Sequence, residues 1–245
     1  VPFTFSHPAI VLPLLNKRHF SATALVAGSL SPDFEYFLKM SAGGEHGHTL
    51  AGIFYFDLPI TIVIALIFHY IIREPLLQNL PAFCQSRLVL LRSFDLKNYV
   101  LKDYIIFILS AIIGSCSHVF WDSFTHSGGI MVKYMVALRD YHVPLNGARY
   151  PMWYFLQNLF TIIGLLIIAV YFLRIKPVNN QVVTPSVLYW LVISAVAIFV
   201  FFGRYTLGPT MRLGDAIVSI VSSLMLALVL ASLLWNYLPR VRSLS

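Results

Sequence analysis

Five apolar runs, at about 51–72, 103–125, 152–173, 187–203 and 214–237, constrain this chain more than any other feature. Each approaches or exceeds the roughly 20 residues an α-helix needs to cross a bilayer core. Backbone N–H and C=O groups find no partner in lipid, so segments of this kind close their hydrogen bonds internally, as helices. Composition agrees: 58% of residues are hydrophobic and 11% charged, whereas a soluble domain carries about 25% charged residues. The expectation is an all-α integral membrane helical bundle, with five transmembrane helices and a single domain over 1–245.

A helical pair is expected ahead of the spans. Ala9 to Leu15 is apolar but too short to cross, and Ser6 is placed to cap a helix starting near Pro8. Residues 20–38 are moderately apolar and close in Ser31-Pro32-Asp33-Phe34-Glu35-Tyr36. They read as a re-entrant or interfacial helix, or as a span whose acids face inward. The N-terminus has no basic stretch before its first charge at Lys17, so no cleavable leader is expected. Cys84 falls in a loop and Cys116 inside a span, which argues against a disulfide.

The charge of +7, from 17 Lys+Arg and 10 Asp+Glu, includes no basic run or basic soluble domain. It therefore speaks for anchoring to lipid headgroups and against nucleic-acid binding. The 74–102 loop, with Arg87, Arg92, Lys97 and Lys102, is the most basic. Placing it in the cytoplasm with Arg174, Lys176, Arg240 and Arg242 puts the His48/His118 end of the bundle outside.

Ionisable residues inside spans are costly and so mark functional candidates. His118 and Asp122, spaced i, i+4 near the end of the second run, share one helical face, and His126 falls one further turn along. His48 precedes the first run, Asp33 ends the N-terminal pair and His7 lies at its start, all on the same side of the membrane. Imidazoles and carboxylates converging from separate segments suit a divalent cation such as zinc, which takes N and O ligands at about 2.0–2.2 Å. Plainer explanations exist for the same residues. His118 and Asp122 suit a hydrogen-bonded lock between helices, and Asp33 and Glu35 suit a solvated helix end. Arg204 and Asp215 are most simply expected to pair with each other or with lipid.

In combination, four motifs carry a resemblance: Phe-Ser-His-Pro (5–8), Gly-Ser-Leu-Ser-Pro-Asp-Phe-Glu-Tyr-Phe (28–37), His-Thr-Leu-Ala-Gly (48–52) and Ser-His-Val-Phe-Trp-Asp-Ser-Phe-Thr-His (117–126). With Gln157 and Gly164 in the following helix, they resemble a bacterial family known as domain of unknown function 4184. More loosely, His7, Asp33, His48, His118, Asp122, Thr125 and Gly128 resemble the pattern of LexA-regulated inner-membrane metal-dependent hydrolases. Glu35 stands where that pattern has a second Asp, and Gly47-His48-Thr49 matches its His-x-x-Thr-His segment only in part. A remoter similarity leads to zinc-dependent phospholipase C, although this chain has no second helical His-x-x-x-Glu.

The resemblance and the residues together imply a membrane-bound metal-dependent hydrolase of the bacterial inner membrane. Its substrate would be a phosphoester in a lipid or lipid-linked molecule. His7, Asp33, His48, His118 and Asp122 would hold one or two divalent ions, zinc by ligand type. Glu35 or His126 would serve as catalytic base, and Thr125 and Gln157 would orient the ligands by hydrogen bonding. The alternatives are a non-enzymatic protein with a structural metal or polar lock, and an ion transporter. A transporter requires a second polar cluster at the opposite face.

Overall fold

The computed structural model describes residues 3–145, 147–178 and 182–237. Arg240 and Arg242, which entered the orientation argument, lie outside them. Five helices are long and apolar enough to cross a membrane: Ile53–Asn79, Leu96–Asp122, Met152–Arg174, Val187–Leu207 and Leu213–Tyr237. The fourth is longer than its apolar run, because Arg204 to Leu207 continue the helix until Gly208 leaves helical geometry (φ −95, ψ 175). The second is broken at Asp103 (φ −129, ψ 37). Its membrane-crossing part therefore begins where the apolar run begins. The first span widens to π-helical turns at Ile53–Asp57 and Phe68–Ile72, which hold the buried Asp57 and His69.

The chain divides into two compact units, the first comprising residues up to Asp33, Glu45–Ile62 and Asp103–Arg174. Within it, the N-terminus is a tight 3₁₀ helix, Thr4–Ile10, with Ser6 and Pro8 inside. Ser6 does not cap a helix at Pro8 as the sequence suggested, since turns of this type begin earlier, after an extended Phe3 (φ −61, ψ 115). The segment runs along the third span: the Phe3 amide donates to Thr161 Oγ1 (3.2 Å), and a Cβ at Gly164 would lie 2.8 Å from the Ser6 carbonyl oxygen.

The helix Ala22–Leu30 is capped by Ser21, whose Oγ accepts the Ala24 amide (3.3 Å). It packs along one face of the second span. Cβ atoms at Gly28 and Gly114 would lie 2.4 Å from the Ala111 oxygen and 2.5 Å from the Leu25 oxygen. Small residues that let backbones touch are the usual device for packing helices in lipid, where no hydrophobic force draws them together. Ser110 and Ser115 on the same face add bonds to the Ser21 amide (2.9 Å) and the Gly28 carbonyl (3.2 Å). Replacing Gly28 with valine forces the two backbones apart. The expected result is a loss of about 1–3 kcal/mol of stability and weaker metal binding, read by thermal unfolding and metal titration.

The second unit comprises Phe34–Gly44, Val63–Lys102 and Ile175 onward. Its core is the pairing of the fourth and fifth spans through Tyr189, Ile193 and Ala197 against Ala227, Ala231 and Trp235. Tyr189 also meets Ser232 Oγ at 2.9 Å. Asp215 does not pair with Arg204 here. Its carboxylate accepts the Ala42 and Arg212 amides (2.8 and 3.0 Å) and the Ser41 hydroxyl (3.1 Å), while Arg204 donates to the Pro209 carbonyl (3.2 Å). Backbone amides at the start of a helix are the nearer donors for such an acid. Cys84 and Cys116 are both free thiols.

Candidate metal centre

The first unit gathers the polar residues that its spans and N-terminal turns carry. The second span ends at Asp122, so His118 and Asp122 form its last turn. Asp33 arrives from the buried turn Ser31–Asp33 that follows Ala22–Leu30. His48 comes from the loop before the first span, which is held close because a Cβ at Gly47 would lie 2.3 Å from the Pro32 oxygen. One ligand atom from each of Asp33, His48, His118 and Asp122 lies within 4.8 Å of all the others.

The spacing of these atoms is informative. Asp33 Oδ1 lies 3.3 Å from His48 Nε2 and 3.6 Å from His118 Nε2. Asp122 Oδ2 lies 3.2 Å from His48 Nε2 and 3.3 Å from His118 Nε2. Neighbouring ligands on a tetrahedral ion at 2.0–2.2 Å are about 3.4 Å apart. Asp33 Oδ1, His118 Nε2 and Asp122 Oδ2 are buried and make no hydrogen bond among the described residues. Buried polar atoms without partners are costly. A cation at their centre supplies the missing interaction, so the residues present fit a metal ion.

Tautomers support this. His118 Nδ1 faces the Ser29 carbonyl at 2.7 Å, and a carbonyl can only accept. Nδ1 thus carries a proton, which leaves Nε2 as the coordinating atom when the ring is neutral, the arrangement that orients a metal-binding histidine. His7 repeats the pattern: Nδ1–H donates to the Thr4 carbonyl (3.1 Å) and Nε2 lies 3.0 Å from Asp122 Oδ1. Its ring stacks on that of His118 with centroids 3.8 Å apart. Burial and the neighbouring His118 push the His7 pKa down, outweighing the pull of Asp122. Burial likewise opposes charge on His48, but its contacts with Asp122 and Asp33 prevail and push it up to about 9. For Asp33, burial is outweighed by His118 and His48, which hold its carboxyl well below the usual carboxylate range.

The other expected site residues divide. His126 lies past the end of the helix, yet its Nδ1–H donates to the Asp122 carbonyl (3.2 Å) and lies 3.6 Å from Asp122 Oδ2. Its Nε2 is buried without a hydrogen bond, and burial pushes its pKa down. Thr125 is fully buried beside it, Oγ1 to His126 Nδ1 at 3.4 Å, and Gln157 is buried on the third span. Glu35 is not among the four converging residues; it belongs to the second unit, where Oε1 accepts from Lys39 Nζ at 2.6 Å. His46 turns to the Tyr55 hydroxyl (2.9 Å).

Two contributors were missed at the sequence level. Thr4 donates its hydroxyl to Asp33 Oδ2, steering Oδ1 towards the centre, and Ser29 acts through its backbone carbonyl. A threonine three residues before His7 carries no signal of its own, and a carbonyl is independent of residue type. Thr4→Val is expected to lower metal affinity about 10–100-fold, the usual effect of losing an outer hydrogen-bond partner, with the fold intact by circular dichroism.

Fold and site thus define an integral membrane protein with a buried His/Asp group able to hold a metal ion. The model of one family, described as domain of unknown function DUF4184, matches residues 1–233, and the chain belongs to that family. No curated protein and no solved structure matches the chain. The comparisons do not extend the match to the LexA-regulated hydrolases or to phospholipase C.

Proposed function

We propose that the protein is a membrane-bound metal-dependent hydrolase acting on a phosphoester of a lipid or lipid-linked substrate, with zinc as the resident ion. The observation that carries this is the convergence of four buried ligand atoms, three of them without hydrogen bonds, at metal-binding spacing. A divalent ion held there supplies Lewis acidity and a nucleophilic water near neutral pH. His118, His48, Asp33 and Asp122 bind it. A second ion is accommodated at one specific contact: His7 Nε2 lies 3.0 Å from Asp122 Oδ1, an imidazole nitrogen and a carboxylate oxygen side by side next to the first site. His126 is assigned as the base. Its proton sits on Nδ1, its pKa is lowered, and Nε2 takes up a proton from the attacking water.

Depth supports a lipid substrate. Trp121 packs on Phe160 with centroids 5.6 Å apart, and the His7 ring lies 5.7 Å from Trp121. Phe160 is eight residues into the third span, or about 12 Å along its axis from its start, so the site sits beside the apolar length of that helix rather than beyond its end. Location in a bacterial inner membrane, with the site on the external face, belongs to the same proposal. Among the described residues no second group of His, Cys, Asp and Glu is placed to hold a metal ion.

The test is turnover by the zinc-loaded protein in lipid, using nitrophenyl phosphodiesters and phospholipids. Hydrolysis is expected, and His126→Gln should lower kcat by about 10²–10⁴-fold at unchanged metal content. Failure of the metal-replete wild type on every phosphoester would overturn the reading.

A further inference from the structure

We propose that the segment from Ile130 to Pro151, between the second and third spans, is a membrane-interface lip seated in the headgroup–acyl boundary of an anionic leaflet. It consists of two short helices, Ile130–Tyr134 and Val136–Arg139, and an antiparallel hairpin, His142–Leu145 with Ala148–Pro151. None of these pieces can cross a bilayer, so spanning does not explain their apolar character.

The lip has buried and exposed apolar residues. Its inner face is anchored in the first unit by the buried Val132 and Leu138, and by bonds from the Val132 amide to the Ser123 carbonyl (3.2 Å) and the Met152 amide to the Tyr141 carbonyl (2.9 Å). The rest of its surface exposes Ile130, Tyr134, Val136, Tyr141, Leu145 and Tyr150, with Tyr134 at 81% and Val136 at 62%. An apolar surface of this density facing water marks an interaction site. Tyrosine-rich apolar surface with interspersed cations is what the bilayer interface selects.

The charges choose the occupant. The lip carries Lys133, Arg139 and Arg149 against the single acid Asp140, whose two oxygens are held by Arg139 at 2.8 and 2.9 Å. A second copy of the chain on this surface would oppose cations to cations; lipid phosphates complement them. Between the lip and the third span lies an apolar groove of about 1060 Å³, lined by Val136, Leu138, Tyr141, Met152 and Leu156 among others. Its character suits an acyl chain. The groove opens onto the first turns of the third span, so the lip continues that helix's lipid-facing surface.

The experiment uses the full chain with Cys84 and Cys116 replaced by serine and one cysteine introduced at Val136, or in a second variant at Leu145. Both positions are exposed, so neither substitution disturbs packing. A nitrobenzoxadiazole label is read in vesicles of phosphatidylethanolamine and phosphatidylglycerol. Strong quenching by lipids carrying nitroxide near the top of the acyl chain, with protection from aqueous iodide, is the expected result. Full iodide quenching without nitroxide quenching overturns the proposal, as do disulfide-linked dimers through these cysteines. Equal nitroxide quenching in purely phosphatidylcholine vesicles overturns the anionic part. The readout needs neither metal nor turnover, so its failure and failure of the hydrolase reading are separable.

Discussion

Asp122→Asn is expected to weaken zinc binding by more than about 100-fold, beyond the ceiling for loss of an outer partner. Among the described residues no other side chain faces so many imidazoles: Oδ2 meets His48, His118 and His126, and Oδ1 meets His7. The amide keeps the shape and removes the charge. It also turns an NH₂ donor, or at best a neutral carbonyl, towards a point where the geometry requires a negative ligand. Isothermal titration of the detergent-purified variant reads the loss directly. Affinity within about tenfold of the wild type would show that the ion, if any, is held elsewhere.

The second large effect is opposite pH dependence of the metal-free and metal-loaded protein. In the metal-free chain the His48 pKa is raised from 6.5 to about 9 by Asp122 and Asp33 against the cost of burial. A folded-state value above the unfolded one means stabilisation that is complete below about 6.5 and lost as pH rises through about 9. Metal binding needs the neutral ring, so loading expels the proton. Affinity should therefore rise by up to about tenfold per pH unit until His48 is deprotonated. Melting curves should accordingly fall with rising pH for the metal-free protein and not for the zinc-loaded one. Titrations in buffers of different ionisation enthalpy should show proton release near neutral pH. Its absence would mean that His48 is not a ligand.

The spans were legible because lipid imposes a length on an apolar helix, and that length can be read in one dimension. The pairing of His118 with Asp122 was legible for the same reason, since i, i+4 is a local property of the helix. Their meeting with His7, Asp33 and His48 is not local. It depends on backbone contact at Gly28, Gly47 and Gly114, and glycine in a sequence does not say what it touches. Spacing puts His126 one turn beyond Asp122 only if the helix lasts that far. The chain instead leaves helical geometry after Asp122 and turns, with the Ser123 amide shared between the Val119 and Phe120 carbonyls (3.0 and 3.2 Å). His126 still reaches Asp122, but from a turn. The bonds of Asp215 to Ala42 and Ser41 join residues more than 170 positions apart, beyond any pattern. The exposed surface of the lip escaped because pieces of four and five residues show no period to recognise.

That Asp33, His48, His118 and Asp122 hold a divalent metal ion is open to direct measurement. Metal content by mass spectrometry, on protein purified without chelators, tests it most directly against the His118→Ala/Asp122→Ala double variant. One or two zinc ions per chain, lost in a variant that keeps its helical content, is the predicted result. A wild type that carries no metal, and gains none when zinc is added, would contradict the account and leave the cluster as a polar lock between helices.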